Sequence, residues 1–544
     1  MLAVYTRLGS VTYCRYYLGL AEDHESYFRY TSGRWLFNEK EQLATRYVRF
    51  NVEAMKTIAC KAVGAQSCTS FTKLGEGTYN KAFLLTFDND SEAVVRIPFR
   101  IIDPIHLVTA SEVATMDFIR TVLKIPAPRV LSWASKANST PVGSAFIVME
   151  KMPGVSLADR WFTHPDAREM VPMVRDILFL EDRFFKARFA SFGSLYYKHD
   201  VSPDLQNEKL YSDDSETREG EDRFRIGPSV QPVFWRGERG DLDIDRGPWK
   251  TAASYAVAVA RCEQQWIRAH AKPRAYRDPF CTSHSPAVHI EWLDHAIRAF
   301  QDPHLIPDDS LHCPILWHPD LSLSNIMVQA SPSPMNVTGL IDWQHAWAGP
   351  ATLLSEVPHA LVYSEGVVSL TSGPRPVPLP DGYESLPEDE KLVVKWDKAR
   401  ADMHKYYKLL ISKRYPLRQE ISLRPQVEYV STLLDAAGRS WAHSLVMVRQ
   451  TLVALQILWP DLYPGTRCPI ELADHTLQEY MRDHEILQRY LAARQSVEQE
   501  LQTNPEDYAA TQARCRELEK RWDVEAYGGQ FPWRDGQYSS TLLM

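Results

Sequence analysis

The sequence lacks the surplus of basic residues that a nucleic-acid-binding protein needs. Among its 544 residues, 61 are Lys or Arg and 69 are Asp or Glu, which gives a formal net charge of −8. Because such proteins offer a basic face to phosphates, this balance argues against a nucleic acid as partner. A local basic pocket for one polyphosphate stays compatible with it.

Long apolar runs and paired cysteines are also missing. No apolar stretch has the length that a bilayer requires, so no transmembrane segment is predicted. The eight cysteines are scattered and no C-x-x-C occurs, which favours reduced thiols over a disulfide framework or a zinc site. Hydrophobic residues make up 44% of the chain, which is enough apolar material for a sizeable core.

The length exceeds what one hydrophobic core usually spans, so two lobes are expected. Short β-branched strands with one helix inserted predict a small antiparallel α+β lobe, and mainly helical patterns follow it. A polar, acidic stretch in the second lobe is interpreted as a solvated loop. The predicted division is residues 1–37 as a leader, 38–154 as an N-lobe, 155–390 as a C-lobe with a polar insert at about 198–247, and 391–544 as a helical C-terminal extension of the C-lobe.

The N-terminal region has two alternative interpretations. Residues 1–21 contain two arginines but no acidic residue, which is compatible with a mitochondrial transit segment. A disordered leader fits the same residues. The first helix is predicted after residue 37, with Asn38 as N-cap, Glu41 three residues on, and one apolar period that runs to a stop at Gly64.

A glycine-containing motif lies between two of the predicted strands. Residues 74–80 read LGEGTYN and form a hairpin, whereas a Rossmann fingerprint must open a helix. No G-x-x-x-x-G-K-[ST] occurs in the chain. Gly75 and Gly77 would let backbone N–H groups close over phosphates without a Cβ in the way. A plain hairpin turn is the alternative.

A cation and an acid follow this motif. Arg96 lies on the next strand, from which a cation can reach the phosphates of a nucleotide under the hairpin. Glu112, on the following helix, is the candidate partner that would hold Arg96 in place. Thr109 and Glu112 also match a capping box, which would explain Glu112 without a role in binding. The pairing with Arg96 is the favoured interpretation.

A third motif is typical of a linker between two lobes. Residues 148–154 read VMEKMPG, a strand that ends in Pro-Gly. The backbone at Glu150 and Met152 is the candidate edge for hydrogen bonds to an adenine.

The most specific motif lies in the second lobe. Residues 316–328 read LWHPDLSLSNIMV, which places Asp320 and Asn325 on one tight loop before a strand, and Asp342 ends the next strand. Asp320 is the candidate that accepts or orients the proton of an attacking hydroxyl. Asn325 and Asp342 would supply the hard oxygen ligands that Mg²⁺ prefers. His318 is interpreted as a brace of this loop.

The loop at residues 318–325, followed by Ile-Asp-Trp at 341–343, resembles the aminoglycoside phosphotransferase family, also called the phosphotransferase enzyme family. The resemblance covers about residues 72–356. It implies a protein-kinase-like bilobal fold with a small antiparallel-sheet N-lobe and a large, mainly helical C-lobe. Mg²⁺ and ATP would then lie between the lobes.

Two further features resemble the same family. Its phosphate loop usually has an asparagine in place of a third glycine, which Asn80 matches, and arginine is common among its members at the position of Arg96. The stretches 30–40 and 246–249 are similar to the fungal branch called altered inheritance of mitochondria protein 9. This similarity implies a mitochondrial location, with the cytoplasm as the alternative.

The resemblance implies an ATP-dependent phosphotransferase that acts on a hydroxyl of a small molecule, whose identity the sequence does not give. A protein kinase fits less well, because no D-F-G and no A-P-E follow the catalytic loop. The alternative of another class is a catalytically weak, nucleotide-binding pseudokinase or scaffold in mitochondrial maintenance.

Overall fold

The computed structural model describes residues 24–35, 38–161, 167–272, 285–307, 310–330, 335–354, 357–363, 366–501 and 508–532. Its strands are β1 (Cys68–Glu76), β2 (Asn80–Phe87), β3 (Glu92–Pro98), β4 (Val130–Ala134), β5 (Phe146–Glu150), β6 (Val155–Ser156), β7 (Ser194–Tyr197), β8 (Phe224–Gly227), β9 (Pro314–Trp317), β10 (Ile326–Val328), β11 (Val337–Leu340) and β12 (Trp347–Pro350). Its helices are α1 (His24–Phe28), α2 (Glu39–Thr45), α3 (Val52–Val63), α4 (Ile105–Thr121), α5 (Leu157–Trp161), α6 (Ala167–Phe184), α7 (Pro203–Gln206), α8 (Ala252–His270), α9 (Pro286–Phe300), α10 (Ala351–Leu354), α11 (Glu388–Arg414), α12 (Pro416–Ser422), α13 (Gln426–Ala437), α14 (Leu445–Leu462), α15 (Asp474–Leu501), α16 (Tyr508–Arg521) and α17 (Val524–Tyr527).

The N-lobe is built on one antiparallel sheet, in which the order of strands is β1-β2-β3-β5-β4. Side chains of β2 alternate between buried and half-buried positions, as expected for a strand with two covered faces. Phe83, Leu85 and Val95 are fully buried in an aromatic core on one face. The predicted strands of this lobe are all present.

The predicted first helix is wrong, because two helices occupy its place. α2 and α3 are separated by extended residues 46–51, and Asn38 has a φ of 52° and makes no side-chain cap. Asn51 caps α3 instead, where its side-chain oxygen accepts a hydrogen bond from the amide of Ala54 at 3.0 Å. Gly64 ends α3 at a φ of 74°, as predicted.

The predicted leader also needs correction, because residues 24–35 belong to the N-lobe. Tyr27, Phe28, Tyr30 and Trp35 are buried against the sheet and α3. Burial of four aromatic side chains strongly favours a docked segment over a free one. The candidate transit segment at residues 1–21 lies outside the described residues.

The C-lobe begins with a linker that is fixed to a small β-ribbon. β6, β10 and β11 form a three-stranded antiparallel sheet in the order β11-β10-β6. Gly154 has a φ of 95°, and a Cβ there would lie 2.1 Å from the carbonyl oxygen of Val328. Only glycine therefore lets the linker pass this close to β10. The ribbon carries the candidate catalytic residues at one of its ends.

The C-lobe helices pack in two apolar clusters, of which the first includes the ribbon. One cluster joins α4, α6 and α11 to the ribbon and to β5, and the other joins α8, α9, α13 and α14. The C-terminal helices are anchored by a buried group in which Tyr407 donates to Glu181 at 2.8 Å and Arg418 donates to Glu181 at 3.0 Å. The helical character predicted for the tail is present in α11 to α17.

The acidic stretch at 212–222, predicted as a solvated loop, has no helix or strand, and its residues are exposed or half-buried. The rest of the insert is folded: β8 lies within it and pairs with β7, and Tyr211, Phe224 and Phe234 are buried.

One helix among the described residues, α14, is long and apolar enough to cross a membrane by length and composition. Half of that stretch is buried, and Leu445, Leu452 and Trp459 lie in the second apolar cluster. The same pattern is found in core helices. The six cysteines that the structure describes are free thiols.

Candidate active site

One end of the ribbon brings the predicted metal-binding residues together. Ile326 at the start of β10 pairs with Leu340 at the end of β11, so Asn325 and Asp342 flank the same ribbon end. The amide of Ile341 donates to the carbonyl oxygen of Asn325 at 3.0 Å, which closes this end. The two residues thus lie close together along the backbone of the ribbon end although 17 positions apart in the sequence.

Asp320 is held by Asn325 in the loop before β10. The side-chain amide of Asn325 donates to the carbonyl oxygen of Asp320 at 2.9 Å and to its Oδ2 at 3.1 Å. The side chain of Asp320 remains 57% exposed, so its carboxylate is accessible although Asn325 holds it. This arrangement suits a group that must meet a substrate hydroxyl.

His318 has the geometry of a brace. Its Nε2–H donates to the carbonyl oxygen of Ile341 at 2.9 Å, and its Nδ1 accepts from the amide of Asp320 at 3.2 Å. Its ring lies 4.5 Å from that of Trp343, measured between centroids. Burial lowers the pKa of His318, so the imidazole is neutral and ties the Asp320 loop to the strand that leads to Asp342.

Arg96 joins the two lobes at the base of the cleft. One of its terminal nitrogens binds Glu112 and the other lies 2.7 Å from Oδ1 of Asp342. Burial would lower the pKa of Arg96, but the carboxylates of Glu112 and Asp342 outweigh it and raise the pKa above its ordinary value. Arg96 is therefore a fixed cation whose fork spans the N-lobe helix and the C-lobe strand.

The alternative explanation of Glu112 as part of a capping box is wrong. α4 begins at Ile105 with Pro104 at its N-cap, so Thr109 and Glu112 lie in the second and third turns. Glu112 is 3% exposed, and burial raises its pKa to about 7 against the opposing effect of Arg96. The predicted contact between Arg96 and Glu112 is present.

The glycine hairpin lies over the same region. The side-chain amide of Asn80 donates to Oε1 of Gln344 at 2.5 Å, two residues beyond Asp342. Gly75 and Gly77 have ordinary φ values, and a Cβ at either would meet nothing within 4 Å. The fold itself therefore does not require glycine at these two positions.

The side chains at the ribbon end suit a hard divalent cation. The side-chain oxygen of Asn325 and Oδ2 of Asp342 accept no hydrogen bond from the described part of the chain, and Asp342 is 43% exposed. Oxygen atoms of this kind are what Mg²⁺ prefers, usually completed by substrate phosphates and water. Among the described residues, no group of three or more His, Cys, Asp or Glu side chains forms a separate metal site.

The linker residues expected to meet an adenine lie at the end of β5 and just beyond it. The amide of Glu150 donates to the carbonyl oxygen of Arg129 at 2.9 Å, and its carboxylate lies 3.5 Å from Arg120. The carbonyl oxygen of Glu150 and the backbone of Met152 stay the predicted groups for an adenine. Met152 lies outside the regular strands, with its side chain against Gly339.

Several residues around the site were missed by the sequence analysis. Gln344 receives Asn80, and His345 lies 5.5 Å from the ring of Tyr79 and donates from Nδ1 to the carbonyl oxygen of Val230 at 2.8 Å. His359 lies 4.0 Å from Asp320. No periodicity marks these positions; only proximity to Asp342 in sequence pointed to Gln344 and His345.

The family profile described as "Phosphotransferase enzyme family" matches residues 70–353, from β1 to α10. The chain belongs to this family. The predicted protein-kinase-like fold is thereby confirmed, together with the small antiparallel-sheet lobe and the large helical lobe that the structure shows. The segment 24–35 and the C-terminal helices lie outside the matched residues.

Curated relatives cover most of the chain. A subtelomeric hrmA-associated cluster protein of Aspergillus fumigatus is 29% identical over 87% of this chain and 97% of its own. Altered inheritance of mitochondria protein 9, mitochondrial, of Clavispora lusitaniae is 24% identical over 86% of this chain and 84% of its own. The mitochondrial location expected from the sequence is the one that the names of these yeast relatives carry.

A solved aminoglycoside phosphotransferase, APH(4)-Ia in ternary complex with ADP and hygromycin B, covers 76% of this chain and all of its own at 12% identity. The TM-score is 0.37, which is too low to support an argument. The fold assignment rests on the family match and on the architecture itself.

Proposed function

We propose that the protein is an ATP-dependent phosphotransferase that transfers the γ-phosphoryl group to a hydroxyl of a small molecule. The observation that carries this proposal is the convergence of Asp320, Asn325 and Asp342 at one ribbon end, with Arg96 beside them and the glycine hairpin above. These are the residue types that phosphoryl transfer needs for positioning and for neutralising charge.

Each group has a role that follows from its contacts. Arg96, fixed by Glu112, holds the phosphates, and the hairpin amides at 75–80 cover them. Asp320, pinned by Asn325, orients the acceptor hydroxyl and accepts its proton as the oxygen bonds to phosphorus and the bond to the β-phosphate oxygen breaks. Asn325 and Asp342 would hold Mg²⁺, which when bound neutralises the negative charge on the phosphates.

The yeast relatives favour a mitochondrial place of action. Their names assign them to mitochondria, and they match this chain over most of its length. We infer the same location for this protein. A fluorescent fusion of the full chain, imaged with a mitochondrial marker, tests it; an even cytoplasmic signal would contradict it.

The experiment that tests the activity is a transfer assay from γ-labelled ATP into a fractionated metabolite extract. We expect labelled small-molecule product with the unaltered chain and a loss of about 10³-fold or more with Asp320→Asn, since a positioned base typically contributes about 10²–10⁴-fold. Nucleotide binding without labelled product in any fraction would contradict the proposal.

One observation favours the alternative of a nucleotide-binding scaffold. Oδ1 of Asp342 is already paired with Arg96, and Asn80 ties the hairpin to Gln344, so two of the candidate groups are engaged within the protein. A scaffold would bind ATP and give the same nucleotide affinity with Asp320→Asn, with no product from either protein. The transfer assay therefore separates the two functions.

A further inference from the structure

The outer face of the N-lobe sheet carries a buried charge cluster that the proposed transfer reaction does not use. It consists of Lys73 and Glu76 of β1 and Lys81 of β2, whose side chains are 14%, 0% and 0% exposed. Glu76 stands between Gly75 and Gly77. The cluster is thus part of the hairpin that would cover the phosphates, on the side that faces away from the cleft.

The carboxylate of Glu76 binds the segment before the matched family region. It accepts hydrogen bonds from the amide of Thr31 at 2.6 Å, from the hydroxyl of Thr31 at 3.0 Å and from the hydroxyl of Ser32 at 3.3 Å. Lys73 donates to its other oxygen at 2.9 Å. A single buried carboxylate therefore links the hairpin to residues 31–32, more than 40 positions away.

The two lysines hold the end of α1. Lys73 donates to the carbonyl oxygens of Ser26 at 2.6 Å and Arg29 at 3.0 Å, and Lys81 donates to those of Tyr27 at 3.0 Å and Phe28 at 2.7 Å. The last carbonyls of a helix lack partners within the helix and favour a positive charge. Four consecutive carbonyls are thus satisfied by two ammonium groups of the hairpin strands.

The position of this cluster matters because the glycines of the hairpin make few contacts. A Cβ at Gly75 or Gly77 would meet nothing within 4 Å, and Leu74 is 49% exposed. A phosphate-binding loop gains affinity when its amides are fixed before binding, since less conformational entropy is lost. On the cleft side the hairpin is tied to Gln344 through Asn80, whereas β1 and β2 are held on the outer face by the charge cluster.

We propose that residues 26–32, bound by Lys73, Glu76 and Lys81, position the glycine hairpin for the nucleotide. This hairpin brace rests on the proposed function, because its purpose is to order amides that bind phosphate. Its members are positioning residues, since none of them faces the cleft. The aromatic residues of the segment are sufficient to dock it; the charged groups fix it at the end of the sheet where the hairpin turns.

The test uses full-length variants and Mg²⁺ with AMP-PNP, so it needs no acceptor. Thr31→Val with Ser32→Ala removes both hydroxyls that bind Glu76 and keeps the amide of Thr31. We expect the Kd for AMP-PNP to rise about three- to tenfold, the range for one or two lost hydrogen bonds. Hydrogen exchange of the amides at 75–80 should become faster in the same variant.

Two matched variants separate positioning from stability. Thr31→Ser alone keeps both hydroxyls and should bind AMP-PNP as tightly as the unaltered chain. Arg467→Ala removes only an exposed pair with Glu471, outside the brace, and should leave the affinity unchanged. Ser32→Ala alone covers the case in which the double variant does not fold, with a smaller rise in Kd expected.

The outcomes distinguish this inference from the proposed function. If the unaltered chain binds AMP-PNP and the folded variants bind it equally well, the hairpin brace is overturned and the proposed function stands. If the unaltered chain binds no AMP-PNP, the proposed function fails, and the brace fails with it. The brace is supported if the Kd for AMP-PNP rises in the double variant and is the same in Thr31→Ser as in the unaltered chain.

Discussion

The two faces of the N-lobe sheet each bury a cation at neighbouring positions of adjacent strands. Arg96 of β3 pairs in register with Ala82 of β2, and Lys81 precedes Ala82. Because successive side chains of a strand point to opposite faces, Arg96 points into the cleft and Lys81 points to the outer face. Each cation has a buried glutamate nearby, Glu112 for Arg96 and Glu76 for Lys81.

The pKa of the buried cation shifts in opposite directions on the two faces. Two carboxylates surround Arg96 and raise its pKa despite complete burial. Burial lowers the pKa of Lys81 to about 8. Glu76 at 3.7 Å raises this pKa too little to offset burial, and the nearby charge of Lys73 lowers it further. The cleft face therefore has more acid than base around one fixed cation, which suits a divalent ion and a phosphate, whereas the outer face uses charge to hold carbonyl groups.

The largest effect should come from the cleft cation. Arg96→Met should lower the transfer rate by about 10²–10³-fold, because it removes the donor fixed at the developing phosphate charge. It also removes the donor that Glu112 and Asp342 share, so the free energy of unfolding should fall by about 1–3 kcal/mol, because Glu112 can take up a proton in its place. Label transfer from γ-labelled ATP and urea unfolding measure the two effects.

A conservative control tests whether the fork of Arg96 matters. Arg96→Lys keeps the charge but loses the bidentate geometry and should give an intermediate rate. If Arg96→Met retained a rate within about threefold of the unaltered chain, well short of the loss expected for a preorganised donor, Arg96 would not hold the phosphates.

The outer cation should affect stability more than chemistry. Lys81→Met leaves the carbonyl oxygen of Tyr27 without its buried donor and that of Phe28 with the amide of Val48 at 3.2 Å, and we expect a loss of about 1–3 kcal/mol in the free energy of unfolding at pH 9.5. The transfer rate at saturating ATP should change much less than with Arg96→Met. Urea unfolding of both variants side by side measures this contrast.

The loss of stability in Lys81→Met relative to the unaltered chain should grow as the pH rises. The pKa of Lys81 is about 8 in the folded chain and 10.5 ordinarily, so between these values the unfolded chain binds more protons and stability rises with pH. The unaltered chain should thus gain stability over Lys81→Met as the pH rises from 8 to 10.5. A difference that shrinks over this range would show that Lys81 does not carry a lowered pKa.

The glutamate of the cleft predicts an acid limb of activity. With a pKa of about 7, Glu112 is mostly protonated at pH 6 and loses its ion pair with Arg96, so the transfer rate should be about tenfold lower at pH 6 than at pH 8. Glu112→Gln should be slower throughout and should lack this limb. Rates across pH 5.5–8.5, a range of about three units around that pKa, provide the measurement.

This acid limb should not reflect unfolding caused by Glu112. Its folded pKa of about 7 lies above its ordinary 4.5, so its contribution to stability is fully present below 4.5 and is lost as the pH rises through 7. Unfolding measured at pH 6 and at pH 8 should therefore show no destabilisation at pH 6 from this group. A limb that Glu112→Gln retains would assign it to another residue.

The sequence predicted the cleft face and missed the outer face, for a physical reason. Short runs rich in β-branched residues, a glycine hairpin and the spacing from Asp320 to Asn325 are local signals, and each gave an element that the structure contains. The outer face depends on Lys81 meeting a five-residue helix 54 positions earlier. Such a helix is too short to show a period, and its stability comes from the strands that it contacts.

The contact between Asn80 and Gln344 shows the same limit at larger separation. The two residues are 264 positions apart, and the side chains meet only because the lobes close on each other. Polar pairs of this kind leave no pattern in composition or spacing. The burial within the insert at 198–247 is hard to predict for a related reason, since most of its buried residues are single or paired between polar stretches.

The smallest effect should come from an exposed pair that includes Asp320. Nδ1 of His359 lies 4.0 Å from Oδ1 of Asp320, and the two side chains are 65% and 57% exposed. Exposed pairs at this distance are screened by water, so His359→Ala should change the transfer rate by less than about twofold. Asn325, which holds Asp320 through two hydrogen bonds, provides the contrast, and Asn325→Ala should be far slower. If His359→Ala were instead as slow as Asn325→Ala, the histidine would take part in binding the acceptor or in moving its proton, and exposure would not be a guide to function in this cleft.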